Sequence, residues 1–131
     1  MKKIILIALI FIGQLFALTA NKQNILKLQK QHIPIVDIRL PSEWKATGTI
    51  PNAIKITFFD DTGSINPNFI TQLKQHHITK NSKFAIICRT GHRSRIAKEI
   101  LNQNGYKHVI DLEGGMFSLF KSLLKGLKNG K

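Results

Sequence analysis

Lys83-Phe84-Ala85-Ile86-Ile87-Cys88-Arg89-Thr90-Gly91-His92-Arg93-Ser94-Arg95-Ile96-Ala97-Lys98 passes within a few residues from one kind of structure to another. Phe84–Ile87 is a short apolar run, long enough for a buried strand and too short for a buried helix. From Ser94 the pattern is helical and continues to about Asn104, where Gly105 supplies a stop. Cys88 therefore lies on the turn at the carboxyl end of a central strand, just ahead of a helix N-terminus. Open α/β sheets build their sites at that position. Backbone N–H groups and the residues Arg89, His92, Arg93 and Arg95 surround it, and N–H donors and positive charge both favour an anion. Such surroundings favour the thiolate, the nucleophilic form of cysteine.

The same alternation extends outward in both directions. Asn24–Lys30 reads as a first helix and Pro34–Arg39 as a β-branched strand. Pro41-Ser42-Glu43-Trp44 opens a helix with proline in its first turn. Gly48–Ala53 is a turn, Ile54–Phe58 an alternating strand, and Phe69–Lys74 a helix after a loop over residues 60–67. His108–Leu112 is another strand, and Gly114-Gly115 leads into a last helix. Strands alternating with helices predict an α/β domain with a mainly parallel central sheet flanked by helices in three layers. There is no internal repeat.

At 131 residues and 43% apolar content, the chain has material for one domain and one core. Its start is different in kind. Lys2 and Lys3 precede an apolar stretch from Ile4 to Ile12, and Leu15–Ala20 ends in small residues. This is the layout of an export leader over residues 1–20, with cleavage after Ala20, Thr19 or Ala17, leaving residues 21–131 as the domain. The other reading is a retained N-terminal membrane anchor, near the lower length limit for a span and interrupted at Gln14. Export places the protein in a periplasmic or other extracytoplasmic space. Cysteines there serve mostly in disulfide pairs, yet Cys88 is the one cysteine in the chain. An unpaired thiol in such a protein points to reactivity.

The formal charge is +13, a field that attracts small anions and anionic lipid surfaces. Lysines spread along the chain, with few aromatics, argue against a nucleic-acid partner. The five histidines have no ligand spacing with one another or with Cys88 beyond the adjacent His76-His77, so no metal and no cofactor is expected. Trp44 is expected in the core. Phe117, Phe120, Leu123, Leu124 and Leu127 form an apolar helical stripe beside Lys121, Lys125 and Lys128. Packing on the domain is its first reading, and weak contact with an anionic membrane surface the second.

Two chemistries use a cysteine in an anion-cradling loop before a helix. Phosphate-monoester hydrolysis uses a cysteine, five intervening residues and an arginine; here arginines stand five and seven positions after Cys88, and Ser94 stands at six. Sulfur transfer uses a tighter ring of N–H donors around a single sulfur. The chain resembles the rhodanese family of sulfurtransferases in its single-domain form. Val36-Asp37-Ile38-Arg39, Glu43-Trp44, Gly48–Ala53, Cys88–Ser94 and Leu112-Glu113-Gly114-Gly115-Met116 are similar, in order, to its signature segments. The resemblance implies a rhodanese-like three-layer fold and a Cys88 nucleophile that carries sulfur as a persulfide. It also implies a substrate-binding loop of Arg89, Thr90, Gly91, His92 and Arg93, with Arg89 and Arg93 nearest an anionic donor. Asp37 and Arg39 take the place of a structural motif supporting the loops. The implied partners are a small anionic sulfur donor such as thiosulfate and an acceptor that is cyanide, a thiol or a protein. A non-enzymatic persulfide carrier is the alternative, and a small cysteine phosphatase a third reading. Thr49, Asn52 and Leu119 depart from the family, which often has histidine, glycine and tryptophan at those positions.

Overall fold

The computed structural model describes residues 17–129. Five strands, β1 (Ala17–Thr19), β2 (Ile35–Asp37), β3 (Ile54–Lys55), β4 (Lys83–Ile87) and β5 (His108–Glu113), form one sheet in the order β1-β5-β4-β2-β3. Every neighbouring pair is parallel. The helices are α1 (Lys22–Lys30), α2 (Pro41–Thr47), α3 (Phe69–Gln75), α4 (His92–Gln103) and α5 (Gly115–Asn129).

β4 is the middle strand because it can be buried on both faces. Phe84, Ile86 and Cys88 join one core with Leu73 of α3, Ala97 and Leu101 of α4, and Val109 of β5. Ala85 and Ile87 face the other way, into a core with Leu28 of α1, Ile110 and Leu112 of β5, and Met116 and Leu119 of α5. The two-residue period of a strand thus divides one apolar run between two layers of helices.

Three elements differ from the sequence-based expectation. Ile54–Phe58 forms regular strand only at Ile54–Lys55. Beyond it the backbone still follows β2, with the Ile56 and Phe58 N–H groups donating to Asp37 and Ile38 carbonyls at 3.1 Å each. Ala17–Thr19, inside the expected leader, is an edge strand in register with Asp111–Glu113, and Ala20 is fully buried. Hydropathy cannot separate an apolar leader from an apolar strand that adjoins it. The rest of that leader, residues 1–16, lies outside the described residues. Finally, the stripe on α5 packs against the core only in part. Phe120 rests against the core, while Phe117, Leu124 and Leu127 stay 58%, 61% and 79% exposed.

Candidate active site

β4 delivers Cys88 to the base of the loop, buried and without a disulfide partner. Gly91, just before α4, has φ +95, and a Cβ there would stand 2.8 Å from the Gly114 nitrogen. Only glycine combines that dihedral with that close approach. The turn aims the Gly91 N–H at Cys88 Sγ (3.1 Å), and the Ser94 N–H in the first turn of α4 follows at 3.4 Å. The carbonyls of Cys88 and Arg89 are turned to α5 rather than to the sulfur. Met116 N–H donates to the Cys88 carbonyl and Phe117 N–H to the Arg89 carbonyl, both at 2.9 Å. These are donors that a helix N-terminus must otherwise leave without partners. Carbonyls turned outward and N–H groups turned inward make a concave donor surface that stabilises negative charge on sulfur.

Asp37 and Arg39 close off the neighbouring strand end. Arg39 Nε and Nη2 donate to the two Asp37 carboxylate oxygens at 2.9 and 2.8 Å. Nη1 reaches Thr47 Oγ1 at 2.8 Å and Nη2 the Gly48 carbonyl at 2.7 Å. Thr49 Oγ1 donates to Asp37 Oδ2 at 2.6 Å. Both charged residues are buried, and a buried pair of this kind is tolerable only when so fully hydrogen-bonded. It fastens the end of α2 and the following turn to β2, and makes no hydrogen bond to Cys88.

The two arginines expected nearest a donor occupy different settings. Arg93 grips Glu43 of α2 bidentately, at 2.7 and 2.8 Å. The Arg93 hydrogen bond holds the Glu43 carboxyl below its ordinary range, against the opposing effect of burial. Glu43 in turn raises Arg93, with the charge of Cys88 contributing to a lesser extent. Arg89 is exposed and lines a cavity of about 410 Å³ with Arg39, Glu43, Phe117 and Phe120. Thr90 and His92 are exposed as well, and His92 Nδ1 lies 3.4 Å from Arg95 Nη2 rather than on the sulfur. Trp44, expected in the core, is half-buried, with Lys55 Nζ 5.8 Å above its ring. Among the described residues no group of three or more His, Cys, Asp or Glu side chains converges on a metal position.

Three contributors escaped the sequence reading. Glu43 pairs with an arginine 50 residues away. Ser94 and Asp111 meet at 2.6 Å below the loop. The available signal for Asp111 was its register: it follows Val109 by two, which puts an acid on the core side of a buried strand, where polar groups need partners.

Residues 20–121 match the family described as "Rhodanese-like domain". The chain belongs to that family. Over 88 residues it is 33% identical to a protein named "Sulfurtransferase" from Allochromatium vinosum, covering 67% of this chain and 72% of that one. A rhodanese-like domain protein from Staphylococcus aureus superposes with a TM-score of 0.57 at 30% identity, covering 78% of this chain and 88% of that one. A tRNA uridine(34) hydroxylase of Chlamydia felis is 27% identical over 107 residues. That likeness covers 80% of this chain and 31% of the hydroxylase, so the chain spans about a third of that relative. The positions where this rhodanese domain departs from its family are accommodated locally. Thr49 supplies a hydrogen bond to Asp37. Asn52 adopts φ +67, a left-handed conformation that asparagine tolerates better than most residues. Leu119 is buried in the core under α5.

Proposed function

We propose that the protein is a sulfurtransferase that carries sulfur on Cys88. The Cys88 thiolate attacks the outer sulfur of a small anionic donor such as thiosulfate. A new sulfur–sulfur bond forms, the donor's own sulfur–sulfur bond breaks, and sulfite leaves with that electron pair. The terminal sulfur of the persulfide then passes to cyanide, giving thiocyanate, or to a thiolate on a small molecule or protein, and Cys88 returns as thiolate. The observation that carries this reading is the pair of N–H donors converging on Cys88 Sγ from Gly91 and Ser94. Charge that moves onto the terminal sulfur of the persulfide stays within reach of such donors. Arg89, exposed beside the loop, is suited to attract the donor, while Arg93 shapes the rim through Glu43. A phosphoryl group has poorer support, because Arg93 is engaged and Ser94 stands at the position a phosphatase gives to arginine.

The test is thiocyanate formation from thiosulfate and cyanide, with ping-pong kinetics because the loaded protein is a discrete intermediate. Cys88→Ser should remove turnover and leave the fold in place. Sulfur loading without turnover would favour a persulfide carrier. Cys88-dependent release of phosphate from p-nitrophenyl phosphate, without thiocyanate, would favour the phosphatase.

The setting proposed for this activity is extracytoplasmic. The leader-like residues 1–20 support export, and retention of all of β1 calls for a mature N-terminus no later than Ala17, ahead of the three cleavage positions expected from the sequence, measurable by N-terminal sequencing of the protein from its cell envelope. The exposed Phe117, Leu124 and Leu127 beside Lys121, Lys125 and Lys128 suit weak docking on anionic lipid. Co-sedimentation with phosphatidylglycerol vesicles, absent with phosphatidylcholine vesicles, checks it.

A further inference from the structure

Beneath the loop, on the side of Cys88 away from Arg89 and Phe117, three side chains form a chain of hydrogen bonds that sulfur transfer as described does not use. Cys88 Sγ lies 3.5 Å from Ser94 Oγ, and Ser94 Oγ lies 2.6 Å from Asp111 Oδ1. The Gly91 carbonyl is a weaker neighbour of the same hydroxyl at 3.2 Å. A hydroxyl has one proton to donate and can accept others, so the chain has two consistent polarities. In one, the thiol donates to Ser94, which donates to an ionised Asp111. In the other, a protonated Asp111 donates to Ser94, which donates to the thiolate.

We infer that Asp111 accepts, through Ser94, the proton that Cys88 loses when its thiolate forms. The sulfur–hydrogen bond breaks as that proton joins Ser94 Oγ, and the original Ser94 proton moves to Asp111 Oδ1. One proton is transferred overall, no electron leaves the set, and the negative charge passes from carboxylate to sulfur. This rests on Cys88 being the nucleophile but not on the identity of the group it attacks. Asp111 touches no reacting atom. It is a positioning residue that acts through Ser94.

Its surroundings suit both protonation states. Burial pushes the Asp111 carboxyl up from its ordinary range, opposed by the Ser94 hydrogen bond and by the charge of Lys98 and Arg95. Glu113, on the same strand, adds to the upward shift. The flanking strands bring no charge, since its register partners are Ala17 of β1 and Ile86 of β4. Asp111 also lines a cavity of about 570 Å³ with His92, Arg95, Lys98 and Glu113. That cavity shares no lining residue with the one beside Arg89. The proton therefore has an exit to solvent separate from the path a donor would take past Arg89.

The experiment avoids sulfur donors, so its failure is distinct from failure of the sulfurtransferase reading. Infrared spectra of the wild-type protein at pH 7 should show a protonated-carboxyl stretch that disappears when iodoacetamide caps Cys88. The same band should be missing in Asp111→Asn. In parallel, alkylation of the wild type against pH should rise in two steps, because the inferred proton is shared along the chain from Cys88 through Ser94 to Asp111. Asp111→Asn should show one step, and adding it to Ser94→Ala should change nothing further. A purely structural Asp111 would alter stability but not the number of steps. The inference is overturned if the wild-type band is absent, if it persists after alkylation, or if Asp111→Asn alkylates with the wild-type profile. The wild-type spectra decide the matter even if the variants fold poorly.

Discussion

Gly115→Ala is the substitution that most sharply tests how the loop is held. Gly115 has φ +62, and an added Cβ would stand 2.5 Å from the Cys88 carbonyl oxygen and 2.6 Å from both the carbon and the oxygen of the Arg89 carbonyl. Real Cβ atoms do not approach backbone so closely, and no flexible side chain is available to yield. Relief requires moving the start of α5 away from the loop. The left-handed conformation alone costs about 1–2 kcal/mol with a Cβ present. Separation also weakens the two hydrogen bonds from Met116 and Phe117, each contributing ~1 kcal/mol. The expected loss is thus about 3–4 kcal/mol, a large share of the stability of an ordinary domain. Gly126→Ala is the control. Its Cβ would meet nothing within 4 Å, and in an exposed helix interior the change should stabilise by roughly 0.5–1 kcal/mol. Urea unfolding measures both, and iodoacetamide alkylation reports whether freed carbonyls have turned toward Cys88 and slowed its reaction. A Gly115→Ala protein within ~0.5 kcal/mol of wild type and alkylated at the same rate would refute the claim that α5 orients the loop.

Two further outcomes concern the charged supports. Asp37→Ala leaves the Arg39 guanidinium buried without its counter-ion and should cost about 3–5 kcal/mol in urea unfolding, with Thr49 losing its acceptor as well. Glu43→Gln should cost less than ~1 kcal/mol at pH 7, because the Arg93–Glu43 pair is partly solvated. Since the Glu43 carboxyl is held down in the folded state, its contribution is complete above the ordinary value of 4.5 and disappears as pH falls through the lowered one. The stability difference between wild type and Glu43→Gln should therefore close on acidification, as denaturant melts from pH 7 to pH 3 would show.

The strand–loop–helix unit around Cys88 was legible because each of its signals is local. An apolar run sets β4, Gly91 permits the turn, and Gly105 ends α4. The parallel sheet was legible from alternation alone. β1 was not, because Ala17-Leu18-Thr19, running on from a longer apolar segment, carries no boundary of its own. The support of the site was hidden for a different reason. Glu43 and Arg93 are brought together only when α2 packs beside the loop. Ser94 meets Asp111 only because β5 lies next to β4, a matter of strand order that spacing along the chain does not encode. The exposed residues of α5 show a related limit: periodicity defines an apolar face but not how much of it the domain covers.

The most direct test of the central claim is intact-mass analysis of the protein after brief exposure to thiosulfate. The expected result is a gain of ~32 Da confined to Cys88, the mass of one persulfide sulfur. Cyanide should remove it with release of one thiocyanate per protein, and Cys88→Ser should show neither gain nor release. A wild-type protein that keeps its original mass, or that gains sulfur equally well in Cys88→Ser, would contradict it.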